Sequence, residues 1–184
     1  MAIPSWLKVT PTSGTGGQTV QVTAESNESA TVARQYNIVL KTNSGLQKTI
    51  RVNQREPYTT VNIHFHGENT SSKEVYENFP LSFYSGQSVL LATAVGSGAP
   101  VSSGSPFTAA DKQVSIVSNR NVDGVMLSIS GTSGVGFSGR TKVSIGDAET
   151  YVTVVGQRVS LSPAQRLEPG GEINMDVEVI VTNP

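Results

Sequence analysis

Apolar and polar residues alternate with a period of two through much of this chain. Val20, Val22 and Ala24 alternate with Gln21 and Thr23. Val61, Ile63 and Phe65 alternate with Asn62, His64 and His66, and Val125, Leu127 and Ile129 with Met126, Ser128 and Ser130. The longest run sets Ile173, Met175, Val177, Val179 and Val181 opposite Asn174, Asp176 and Glu178. Successive side chains of a strand leave opposite faces, so each run predicts a strand with one buried and one wet face. Turn formers separate the runs: Ser13-Gly14, Gly16-Gly17, Asn43-Ser44-Gly45, Ser85-Gly86, Asp123-Gly124, Gly146-Asp147 and Pro169-Gly170-Gly171. Many short strands between Gly-rich turns predict sandwiches rather than βαβ units. Only Ser72–Phe79, with Ser72 as cap and Glu74 in the first turn, and Pro163–Leu167 read as helical turns.

The expected fold class is therefore all-β, in two parts. Arg55-Glu56-Pro57 follows the strand Gln47–Gln54, and Pro57 cannot donate to a ladder. Residues 1–55 then form a small N-terminal β-sandwich and residues 57–184 a second, larger one. Within the latter, the polar segment Gly96–Ala110 carries mostly small side chains and reads as a long loop, functional or mobile.

Composition narrows the function classes. The 184 residues include 13 Lys and Arg against 14 Asp and Glu, a net charge of -1, with no clustered basic residues for a nucleic-acid backbone. No run of like charge makes a membrane-surface patch, and no apolar run is long enough to span a bilayer. The absence of cysteine removes disulfides, thiolate zinc sites and cysteine nucleophiles. Met1 to Ser5 lead straight into Trp6-Leu7 with no basic or apolar leader region, so the expectation is either a signal already removed or synthesis without Sec export.

Candidate chemistry is sparse. In "NIHFHGE", His64, His66 and Glu68 would share one strand face, and two imidazoles with a carboxylate are sensible metal ligands. Alternation alone explains the pair as a solvated face, and Gly67 suggests that the strand stops before Glu68. The expectation is no metal and no cofactor. No G-x-S-x-G elbow frames a serine, and "GTSGVGFSG" lacks the ending of a phosphate loop. Asp111, Asp123, Asp147 and Asp176 fall near turns or on outward faces, so no catalytic residue and no enzyme activity is expected.

A resemblance sharpens the N-terminal reading. The stretch "WLKVTPTSGTGGQTVQVTAESN", then "ATVARQYNIVLKTNSGLQKTIRVNQRE", resembles a BACON domain (Bacteroidetes-associated carbohydrate-binding, often N-terminal) over residues 5–55. The resemblance implies an immunoglobulin-like sandwich. Its apolar positions Trp6, Val20, Val22, Ile38, Leu40, Ile50 and Val52 are expected to be structural, Trp6 and Tyr36 packing inward as large aromatics usually do. The family name implies carbohydrate binding, which wants exposed aromatic platforms. Outside the resemblance, Tyr76, Phe79, Phe83 and Tyr84 form the densest aromatic cluster, either a glycan platform or core packing.

BACON-like modules also occur in structural proteins of phages that infect Bacteroidetes, the crAss-like group among them. The whole chain looks like such a virion protein: leaderless, cysteine-free, without catalytic motifs. The expected function is capsid decoration or a head fibre. It would be assembled in the host cytoplasm as a homo-oligomer or in many copies on a lattice, touching the major capsid or other virion proteins, with a host or mucosal glycan as a further partner. The alternative is a carbohydrate- or mucin-binding module of a secreted, extracellular protein.

Overall fold

The computed structural model describes residues 3–27 and 32–184, which contain strands and no helix. They form two compact units, Met1–Pro57 and Tyr58–Pro184.

In the N-terminal unit, β1 (Leu7–Thr10) pairs antiparallel with β2 (Gln21–Ala24), and β3 (Arg34–Lys41) with β4 (Gln47–Gln54). The two ladders make a small immunoglobulin-like sandwich. Leu7, Val9 and Ile38 are buried between them, and Trp6, Val20, Val22, Tyr36, Leu40, Ile50 and Val52 pack around those three, partly exposed. Trp6 sits at the rim of this core rather than inside it, with the Arg34 guanidinium 5.7 Å from its ring centroid.

The larger unit is a second sandwich. Its strands are β5 (Tyr58–Asn69), β6 (Val75–Tyr76), β7 (Phe79–Ser85), β8 (Ser88–Val95), β9 (Pro100–Val101) and β10 (Ser105–Val117). They continue with β11 (Asn121–Leu127), β12 (Gly136–Phe137), β13 (Lys142–Ile145), β14 (Ala148–Tyr151), β15 (Arg158–Arg166) and β16 (Glu172–Thr182). The hydrogen-bonded path runs β10-β5-β16-β13-β14-β15-β11-β7-β8, with β12 added beside β16 and a separate β6-β9 pair. The path bends where β14 meets β15 through the single pair Glu149–Ser162. All pairings are antiparallel except β5 with β16, which run parallel from Thr60–Glu172 to Asn69–Val181. The alternation of the sequence is realised here: Val61, Ile63, Phe65, Met175, Val177, Val179 and Val181 are all buried.

Aromatic side chains from both layers meet in this core. Phe65 of β5 lies 5.3 Å from Phe79 of β7 between ring centroids, and Phe107 of β10 packs edge-on to Phe79 at 5.1 Å.

Three sequence expectations change. The segment 72–79 is not a helical turn but the short strand β6 leading into β7. Nor does 163–167 form one, because β15 runs through Pro163 to Arg166. The segment 96–110 is not one long loop: β9 and the start of β10 lie within it. Hydrogen bonds to the buried Asn69 and Glu77 and to the Ser71 backbone supply the order that small residues cannot. The Asn69 Nδ2 donates to the Val101 and Lys73 carbonyls at 3.0 and 2.7 Å, and the Ser103 hydroxyl donates to the Ser71 carbonyl at 2.6 Å. Glu77, 1 % exposed, accepts from Ser97 Oγ at 2.7 Å, and its backbone amide donates to Ala99.

Candidate functional site

The most chemically varied surface of the larger unit is the outward face of β10, β5, β16, β13 and β14. Antiparallel and parallel registers stack its polar side chains into rows. One row runs Gln113, Asn62, Asn174, with Gln113 Nε2 donating to Asn62 Oδ1 at 3.0 Å and Asn62 Nδ2 to Asn174 Oδ1 at 3.3 Å. The next runs Asp111, His64, Asp176, Ser144, Glu149. A third holds His66, Glu178, Lys142 and Tyr151.

The rows converge on two imidazoles. His64 and His66 sit two residues apart on the wet face of β5, their ring centroids 5.3 Å from one another. His64 Nδ1 is 2.9 Å from Asp111 Oδ1, and His66 Nε2 is 3.2 Å from Asp176 Oδ2. One potential ligand atom from each of His64, His66 and Asp176 falls within 4.8 Å of the others. Beside them lies an open concavity of about 730 Å³, floored by Asn62, His64, Asp111, Gln113, Asn174 and Asp176. The cations at its margin are already engaged. Lys142 bonds Glu149, which holds its ammonium above the ordinary lysine value, and Lys112 donates to the Ala94 carbonyl.

Sequence reasoning singled out the histidines but not their carboxylates. Asp176 reaches His66 across a separation of 110 residues, through a parallel pairing that no local pattern announces. Glu68, expected to end beyond the strand, lies within β5 and pairs with Arg140 at 3.3 Å, not with the histidines. The strand continues through Gly67, and the bulge lies in the facing β10, where the register shifts between Phe107 and Ala110.

The aromatic cluster is not a sugar platform. Phe79 and Phe83 are fully buried, because both project with Leu81 from the core-facing side of β7. Tyr84 is capped by Arg158, whose guanidinium carbon is 4.9 Å from the ring centroid and which also binds Asp123 at 3.0 Å. Tyr76 alone among the four is exposed, against Gly131. On the polar face the exposed aromatics among the described residues are Tyr151, at the β14 end of its row, and Tyr58, at the start of β5.

Comparison with known proteins places the N-terminal unit. Residues 3–55 match the BACON family, described as "Putative binding domain, N-terminal". That unit is thus similar to a class of binding domain, and the match covers less than a third of the chain. No curated protein and no solved structure matches the chain significantly.

Proposed function

We propose that this chain is a non-enzymatic structural protein of a bacteriophage virion, a capsid decoration or head-fibre component that works through protein–protein contacts. The observation that carries the reading is the N-terminal unit's open edges. Among the described residues, each of β1 to β4 pairs on one side only. An unpaired strand edge is a template for another chain, and Ile3, Val39 and Leu46 add exposed apolar surface to the same unit. The likeness to a binding family supports contact-making as that unit's task. Repetition of such contacts on a lattice would give many copies or a symmetric oligomer. The test is quantitative mass spectrometry of purified particles of a phage that encodes the chain. Many copies per particle support the reading, and absence from particles overturns it.

A second reading has its own observation. The amide row Gln113–Asn62–Asn174 beside an open concavity offers the donors and acceptors that sugar hydroxyls need. Here the larger unit binds a glycan, at this face and not at the buried phenylalanines. A glycan array probed with the wild type and Asn62→Ala separates the readings: glycan-specific signal lost in the variant favours this one.

A further inference from the structure

We propose that His64, His66 and Asp176 bind one divalent transition-metal ion of the zinc class. The inference is independent of whether the chain belongs to a virion.

The donor set comes first. Two neutral imidazoles and one carboxylate suit zinc, nickel or cobalt, leaving at least one coordination position for water or an exogenous ligand. Geometry comes second. Ligands about 2.1 Å from a tetrahedral ion stand about 3.4 Å apart. His66 Nε2 and Asp176 Oδ2, at 3.2 Å, already have that spacing, and the ion replaces the proton that otherwise bridges them. One ligand atom from each of the three residues lies within 4.8 Å of the others, and the His64 side chain is 52 % exposed.

Protonation comes third. A carboxylate only accepts, so the Asp111 contact at 2.9 Å puts the proton of a neutral His64 on Nδ1. Nε2 then keeps its lone pair for a metal. This is the carboxylate–histidine relay that orients many metal-bound imidazoles, and it makes Asp111 a positioning residue. The local charge comes last. Asp111, Asp176 and Glu178 are the cross-strand neighbours of the two histidines, and the lysines at hand are engaged, Lys142 by Glu149 and Lys112 by the Ala94 carbonyl. A cation is thus the species this patch lacks.

The test is calorimetric titration of the chelator-treated full chain with zinc, repeated for variants. The expected result is one ion per chain. His64→Ala, His66→Ala and Asp176→Ala should each weaken binding by more than about tenfold, and Asp111→Asn by about tenfold. Asp147→Ala, an exposed carboxylate away from the cluster, should leave it unchanged. All these side chains are solvent-facing, and unchanged thermal unfolding of each variant without metal verifies that the fold is intact. No saturable heat, a stoichiometry other than one per chain, or equal affinity in His66→Ala and Asp176→Ala would overturn the proposal.

Discussion

A methyl group added at Gly67 would stand 1.9 Å from the Val179 carbonyl oxygen, at a residue whose φ is 151°. Neither the strand bearing that oxygen nor the backbone of Gly67 can retreat without breaking the β5-β16 ladder. Gly67→Ala should cost about 3 kcal/mol or more, read as a lowered unfolding midpoint in denaturant. Trp6 stands at the other extreme. It is only partly buried, so Trp6→Ala should cost about 2 kcal/mol, less than the 3–5 typical of a fully buried aromatic. A cost near zero would mean that the ring serves the surface. Both residues were visible in the sequence, but their roles were not. Glycine between two polar residues reads as a strand end, and only the neighbouring backbone reveals it as a position with no room for a side chain.

At the scale of elements, the alternating strands β5 and β16 are legible because each has one wet and one dry face. β7 is less so, since Phe79, Leu81, Ser82 and Phe83 are all buried and its covered second face erases the alternation. The segment 96–110 misleads for a different reason. Its order comes from side chains outside it, chiefly Asn69, whose Nδ2 bonds two carbonyls. Asn69→Ala would leave those carbonyls unpaired in a buried place and should destabilise the unit by about 2–4 kcal/mol. Limited proteolysis provides the local readout, with cleavage between residues 96 and 104 appearing in the variant before it appears in the wild type. The candidate site follows the same logic. Two of its ligands share a strand and can be read from spacing, whereas Asp111 and Asp176 arrive through register.

For the whole molecule, the two units differ sharply in core. Among the described residues, three apolar ones are buried in the N-terminal cluster, while the larger unit packs Phe65, Phe79, Phe83, Phe107 and Phe137 with many aliphatic side chains. Burial scales stability, so residues 1–57 should melt at a lower temperature than residues 58–184. Differential scanning calorimetry should resolve two transitions, and residues 58–184 expressed alone should retain the upper one. A single transition lost on removing the N-terminal unit would contradict this.

The parallel ladder between β5 and β16 also sets a timetable. During synthesis the strand carrying His64 and His66 leaves the ribosome first, and Asp176 follows 110 residues after His66. At ~5–20 residues per second, the first strand waits on the order of ten seconds for its neighbour. Until then the unpaired backbone edge of β5 that β16 will cover stays open to chaperones and to other nascent chains. The histidine–aspartate cluster is completed only once β16 is in place, so it is absent from any chain released before that strand is made.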